Sequence, residues 1–178
     1  ILTQQPTPMQ NIDQSDRFVS IIEANKAIIY KVANSYCHNT EDRKDLVQEI
    51  IIQLWKSFAT YDDQYKYSTW MYRIALNVAI SFYRKEVSRK KISDPLTDSI
   101  IRFTDTDDTD DSLPELKLLR HLISQLPDLD KALMLLYLEE KSHKEIAQII
   151  GISETNVATK INRIKNSFKQ KFNTYKTT

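Results

Sequence analysis

Glycine is nearly absent from this chain, since Gly151 stands alone among 178 residues and proline contributes only five. So little turn chemistry favours a mostly helical protein. It also leaves little room for a glycine-rich loop that could cradle a phosphate. We therefore expect an all-α fold without a nucleotide-binding loop.

Residues for metal or redox chemistry are equally scarce. The single cysteine, Cys37, permits no internal disulfide, suits a reducing cytosol, and is expected to be a small buried apolar group. Three scattered histidines form no cluster with metal-ligand spacing, so no metal or cofactor is predicted. Because paired catalytic carboxylates and a nucleophile–base set are also missing, we do not expect an enzyme.

Long apolar runs are missing as well. No run of about 18 apolar residues occurs, so no membrane span is predicted. The stretch 1–14 is polar and contains proline, unlike a signal peptide. These features lead us to expect a cytoplasmic protein.

The formal net charge of +1 hides an uneven distribution. Between positions 93 and 116 stand eight acidic residues and one base, Arg102. A stretch longer than about 12–15 residues without periodicity indicates a linker. We expect two small helical domains, 14–92 and 115–173, joined by an acidic flexible linker over 93–114. The linker is either a solvated tether or an acidic mimic that competes with DNA for the basic domains.

Apolar spacing predicts the helices of both domains. In the N-terminal bundle one helix carries Ile21 to Ala33, a second opens near Thr40 as its cap, and a third starts near Ser68. The C-terminal domain is predicted to be a four-helix unit over 115–126, 128–140, 142–150 and 154–172.

The last two of those helices have a helix-turn-helix pattern. Ala147 supplies the small residue where the helices pack, and Gly151 supplies positive φ at a sharp turn where we expect a side chain to clash. In the second helix Val157, Ile161 and Ile164 begin a buried face that continues to Phe168 and Phe172. The opposite face presents residue types suited to the major groove: Thr155, Asn156, Thr159, Lys160, Asn162 and Arg163. Lys144, Lys165 and Lys169 could neutralise phosphates.

A second candidate region is rich in aromatic residues. Nine of the 17 aromatics lie between Trp55 and Tyr83, and basic residues follow at once. Aromatic rings beside basic groups can hold unstacked bases, at about 1–3 kcal/mol per base. Trp70 and Phe82 are expected in the core. Contact with nucleic acid is an open alternative to burial for three tyrosines of a predicted loop, Tyr61, Tyr65 and Tyr67.

A third candidate region is the helix segment 45–55. Leu46, Ile50 and Leu54 belong to an apolar stripe for the domain's own core. Five residues fall largely outside this stripe: Asp45, Gln48, Glu49, Ile52 and Gln53. An outward isoleucine could mark a surface for a partner helix, and an ordinary solvated face is the equal alternative.

In their order along the chain, these segments resemble the extracytoplasmic-function (ECF) group of the sigma-70 family of bacterial RNA polymerase sigma factors. The resemblance rests on 45–55, on 68–77 with the sequence STWMYRIALN, on the helix-turn-helix and on the linker. It implies a transcription initiation factor that binds core RNA polymerase and promoter DNA, and that is held by an anti-sigma factor.

The resemblance also implies site residues. The core polymerase contacts would be Asp45, Gln48, Glu49, Ile52 and Gln53. The −10 element would contact Tyr61, Tyr65, Lys66, Tyr67, Asn77, Arg84 and Lys85. The −35 element would contact Lys144, Thr155, Asn156, Ala158, Thr159, Lys160, Asn162 and Arg163.

Two departures accompany the resemblance. The family often has a glycine before the first helix of the helix-turn-helix, where this chain reads Glu140-Lys141-Ser142-His143, and its recognition helix often has more arginines than Arg163 alone. The alternative function is a stand-alone helix-turn-helix regulator, which would bind stably by itself at a two-fold symmetric site. The third alternative is a helix bundle that binds only other proteins, and it would show no salt-dependent affinity for DNA.

Overall fold

The computed structural model describes residues 8–37, 39–93 and 114–177, so most of the predicted linker and His38 lie outside the described part. Within it, seven helices and no strand are present, which confirms the all-α prediction. The helices are α1 (Pro8–Tyr36), α2 (Thr40–Phe58), α3 (Tyr67–Ser93), α4 (Pro114–Ser124), α5 (Asp128–Leu138), α6 (His143–Ile150) and α7 (Glu154–Thr177).

Helices α1, α2 and α3 pack together as the predicted bundle. The apolar stripe of α2 is confirmed, since Leu46, Ile50 and Leu54 are fully buried. The cap of α2 is Asn39 rather than Thr40, because the Asn39 side chain accepts a hydrogen bond of 2.7 Å from the Glu41 N–H. Cys37 is buried, as expected.

Helices α4 to α7 form the second group. The predicted buried face of α7 is confirmed: Val157, Ile161, Ile164 and Phe168 are buried and Phe172 is half-buried. Helix α5 crosses α7 and is buried on nearly every side through Ala132, Leu133, Met134 and Leu136.

The two groups of helices pack against each other through a shared seam. A single hydrophobic cluster contains residues from α1–α3 and from α5–α7. At its edge Lys131 is only 3% exposed, and its Nζ lies 5.3 Å and 5.2 Å from the ring centroids of Tyr36 and Tyr83. The Tyr36 hydroxyl donates a 2.8 Å hydrogen bond to the Asp128 carbonyl oxygen, and burial raises the pKa of Tyr36 above its usual value.

Polar contacts border this seam. Arg84 Nε lies 3.0 Å from Asp128 Oδ2, and Lys31 Nζ lies 2.5 Å from Glu139 Oε2. The Arg73 guanidinium donates a 2.5 Å hydrogen bond to the Gln148 carbonyl oxygen. Exposed pairs of this kind contribute little stability, about 0–1 kcal/mol each. They link α1 and α3 to α5, to α6 and to the turn between those two helices.

Replacing Lys131 with glutamate should separate the two groups of helices. The variant puts a carboxylate against the negatively polarised faces of two tyrosine rings and leaves a buried charge without its stabilising contacts. We expect an increased radius of gyration in small-angle X-ray scattering, with helix content retained in circular dichroism. Lys117→Glu, on the exposed surface of α4, is the matched control. An unchanged radius for Lys131→Glu would show that the lysine does not hold the seam.

Candidate nucleic-acid interface

The helix-turn-helix is built by the capping of its first helix, α6. The Ser142 hydroxyl accepts from the Glu145 N–H at 3.2 Å, and the Glu145 carboxylate accepts from the Ser142 N–H at 3.0 Å. These reciprocal bonds satisfy free N–H groups of the first turn. Hydrogen bonds from Ser142 hold the pKa of Glu145 below its usual value. The start of α6 is therefore fixed locally.

Gly151 ends α6 in the left-handed conformation, with φ 81° and ψ 34°, and its N–H donates to the Ala147 carbonyl at 2.9 Å. The prediction of positive φ is confirmed. The expected clash is wrong, because a Cβ atom built at this position meets nothing within 4 Å. Glycine is favoured here by its backbone freedom, not by lack of space.

Glu140 has φ 56° and is the one non-glycine residue with positive φ among the described residues. It lies in the segment where the family often has glycine. The chain therefore keeps a left-handed turn before α6 without the residue that adopts it most easily.

These two turns should respond in opposite directions to reciprocal substitutions. Gly151→Ala should lower the free energy of unfolding by about 1–2 kcal/mol, because alanine is strained at positive φ. Glu140→Gly should raise it by up to about 1 kcal/mol, because the relieved strain outweighs the added freedom of the unfolded chain. Urea denaturation measures both. Equal effects of the same sign would contradict this account of the turns.

The outward face of α7 is open to solvent. Thr155, Asn156, Thr159 and Asn162 are exposed, whereas Ala158 is half-buried. The Ser153 hydroxyl accepts from the Asn156 N–H at 3.2 Å and so helps to begin the helix. Lys144, on α6, is also exposed. The structure thus brings most predicted −35 residues onto one accessible surface.

Two predicted −35 residues carry an additional contact that the sequence did not reveal. Arg163 Nη2 lies 3.0 Å from Asp130 Oδ2, and Lys160 Nζ lies 3.4 Å from Asp130 Oδ1. Asp130 belongs to α5, and its side chain is 10% exposed. Both basic side chains are thus tethered to the body of the domain.

The three predicted loop tyrosines are half-buried and largely packed together. The Tyr61 and Tyr67 rings stack with centroids 4.5 Å apart, and the Tyr61 hydroxyl donates to the Tyr65 carbonyl oxygen. Tyr67 is the first residue of α3 rather than a loop residue, and the Arg17 guanidinium donates to its hydroxyl at 2.8 Å. Trp70 packs edge-on against Tyr61. These rings form a partly accessible surface.

Asn77 lies elsewhere on α3, about 15 Å from Tyr67 along the axis by helical rise. It lines a groove of about 610 Å³ between α2 and α3. Lys85 lines the same groove, together with Glu49 and Gln53 of α2. The structure therefore separates the predicted −10 residues into a tyrosine surface and a groove beside the predicted polymerase contacts.

The two remaining predicted −10 residues, Arg84 and Lys66, lie near acids of the C-terminal group of helices. Arg84 pairs with Asp128, as described above, and Lys66 Nζ lies 3.9 Å from Glu145 Oε1. Both partners belong to the C-terminal group of helices. In this arrangement the basic side chains of Arg84 and Lys66 point toward acidic side chains of the same protein.

The outward face of α2 confirms the exposure expected for its polar residues. Asp45, Gln48 and Glu49 are exposed, Ile52 is 45% exposed, and the Gln53 amide donates to Glu49 at 3.0 Å. Trp55 is also exposed, and the sequence pattern did not predict that it belongs to this surface. Its position three residues after Ile52 places it on a neighbouring part of the helix surface.

The described residues contain no group of acidic, histidine or cysteine side chains arranged to hold a metal ion. None of their helices has the length and apolarity needed to cross a membrane.

Comparisons with known proteins identify the family. Residues 21–89 match the Sigma-70 region 2 family, and residues 116–167 match the Sigma-70 region 4 family. The ECF RNA polymerase sigma factor SigM of Bacillus subtilis is 30% identical over 147 residues, covering 82% of this chain and 88% of SigM. SigW of the same organism is 27% identical over 165 residues, covering 87% and 88%. The chain belongs to the ECF sigma factors.

A solved structure of CnrH in complex with the cytosolic domain of CnrY has the same fold, with a TM-score of 0.64, 17% identity and 90% coverage of each chain. In the present chain, the region 2 match lies on α1–α3 and the region 4 match lies on α4–α7. The seam with Lys131 therefore joins region 2 to region 4. The region 4 match contains α6 and the first part of α7, up to residue 167.

Proposed function

We propose that this sigma factor binds core RNA polymerase through α2 and directs it to promoters through its −10 and −35 surfaces. The observation that carries the proposal is the simultaneous exposure of two unlike surfaces on one small chain. One is the face of α2 with its outward apolar residues, and the other is the polar face of α7. We assign polymerase and −10 binding to 14–92, a linker to 93–114 and −35 binding to 115–173.

The α2 surface has the composition of a protein-binding site. Ile52 and Trp55 expose apolar area beside Asp45, Gln48 and Glu49. Contact sites between proteins are enriched in aromatic side chains and surround their apolar centre with polar groups. The resemblance assigns this face to the polymerase clamp.

The −10 surface would hold an extruded base without covalent chemistry. Extruding a base costs a few kcal/mol of stacking, which aromatic contacts can offset. Tyr61, Tyr65 and Tyr67 supply rings, while Asn77 and Lys85 line the groove between α2 and α3. Binding the melted strand keeps the duplex open, so the factor itself needs no catalytic group.

Full use of the −10 surface requires the seam to open. Arg84 and Lys66 lie near Asp128 and Glu145 in the structure. These two carboxylates therefore compete with DNA phosphates for the two basic side chains. We infer that region 4 leaves region 2 when the factor binds polymerase and DNA. Because it acts on the transcription machinery, we place the factor in the cytoplasm.

An anti-sigma factor is a further proposed partner. CnrH, which shares the fold, was solved in complex with the cytosolic domain of CnrY. A protein of this kind could restrain our chain by covering the α2 face or by keeping the seam closed.

The docking helix can be tested by co-elution with bacterial core RNA polymerase in size-exclusion chromatography. Wild type should form a one-to-one complex, and the double variant Asp45→Arg/Gln48→Ala should lose it. Both side chains are exposed, so the substitutions should leave the core of the bundle intact. Bringing like charges together in a contact costs several kcal/mol, which would abolish co-elution.

The matched control is Glu23→Arg on the exposed surface of α1, where the Lys26 pair contributes little stability. This variant should co-elute like wild type. A wild-type protein that never co-elutes at modest salt would contradict the proposed function and favour the stand-alone regulator.

Base contacts and phosphate contacts of region 4 should differ in their response to alanine. Asn162→Ala should weaken holoenzyme binding to the preferred −35 element by about 1–3 kcal/mol and relax the choice at one base pair. Lys144→Ala should weaken all −35 sequences alike and reduce the slope of log K against log salt by about 1. Holoenzyme binding to promoter variants over a salt series measures both. Identical profiles for the two variants would contradict the assignment.

A further inference from the structure

The start of α5 carries a side-chain network that reaches the recognition helix. Asp130 is 7% exposed and its carboxylate contacts two bases of α7, Lys160 at 3.4 Å and Arg163 at 3.0 Å. The carboxylate lies in the first turn of α5, where a negative charge is favourable to the helix dipole. Its position is thus fixed by its own helix and by burial.

The Lys160 and Arg163 side chains differ in how much of their surface remains accessible to DNA. The Lys160 side chain is 32% exposed, whereas that of Arg163 is 68% exposed. A guanidinium has five N–H donors in a rigid fork, and the Nη2 contact with Asp130 uses only part of them on a side chain that is largely exposed. Arg163 is therefore held at one end and open at the other.

We propose that Asp130 is a positioning residue that orients Arg163 for base recognition at the −35 element. The proposal rests on the proposed function, and it concerns one residue of α5 that does not touch DNA itself. An arginine that is fixed before binding loses less side-chain entropy on forming a bidentate pair with guanine. Since Arg163 is the sole arginine of this helix, its orientation affects sequence choice more than it would in an arginine-rich helix.

An opposite role is also testable. If Asp130 merely neutralised Arg163 and drew it away from DNA, removing the carboxylate would strengthen promoter binding. The 68% exposure of the Arg163 side chain favours positioning, because an arginine kept away from DNA by Asp130 would be largely covered.

The experiment is a double-mutant cycle in reconstituted holoenzyme, with each base pair of the preferred −35 element varied singly. Arg163→Ala first identifies the base pair that this arginine reads. Asp130→Asn, which keeps the shape and loses the charge, should reduce discrimination at that same base pair by roughly tenfold, within the range of one bidentate contact. In the Arg163→Ala background it should change nothing further.

Two variants separate positioning from a general structural role. Asp128→Asn removes an acid from the same turn of α5, but its partner is Arg84 of α3, so the −35 profile should stay unchanged. Asp130→Glu keeps the carboxylate and should retain most of the discrimination.

Several outcomes would overturn the proposal. These are an unchanged profile for Asp130→Asn, a loss spread evenly over all base pairs, sharper discrimination, or no effect of Arg163→Ala. A wild type without any −35 preference would overturn the proposed function itself and this proposal with it. That failure is recognised before any variant is made.

Discussion

The Lys131 ammonium, buried between two tyrosine rings, is a strong polar constraint on how the two groups of helices sit together beside their shared hydrophobic cluster. An ammonium group removed from water costs several kcal/mol unless other groups stabilise it. Tyr36 and Tyr83 supply ring faces, and a cation–π contact of a desolvated lysine contributes about 2 kcal/mol. Because the rings belong to α1 and α3, these two contacts form together when α5 lies against both. Region 4 is thereby held in one orientation on region 2.

The orientation of the seam bears directly on function. It leaves the outward faces of α2 and α7 exposed, and it directs Arg84 and Lys66 toward acids of the other group. In this form the surfaces proposed for polymerase and for the −35 element are accessible, whereas Arg84 and Lys66, proposed to contact the −10 element, lie near acids of region 4. Since the bordering ion pairs are exposed and individually weak, a partner that competes for them can open the seam in steps.

The sequence predicted the helices and, for the N-terminal helices and α7, the face that each one buries, because apolar spacing follows the period of the helix. The stripe from Leu46 to Leu54 and the face from Val157 to Phe168 are examples. It could not predict the seam, because Lys131 and Asp128 look like ordinary solvated charges until α5 is packed against α3. Gly151 was placed correctly for its positive φ but for a partly wrong reason, since the space around a missing side chain depends on tertiary structure.

Helix α5 explains how one short segment can act on both regions. Residues two apart on a helix point to nearly opposite sides, whereas residues three apart share a side. Asp128 and Lys131 accordingly face α1 and α3, while Asp130 faces α7. The contacts that hold region 4 on region 2 are thus distinct from those that hold Arg163. Opening the seam would therefore separate Arg84, a proposed −10 contact, from Asp128 while leaving the Asp130–Arg163 contact within region 4 in place.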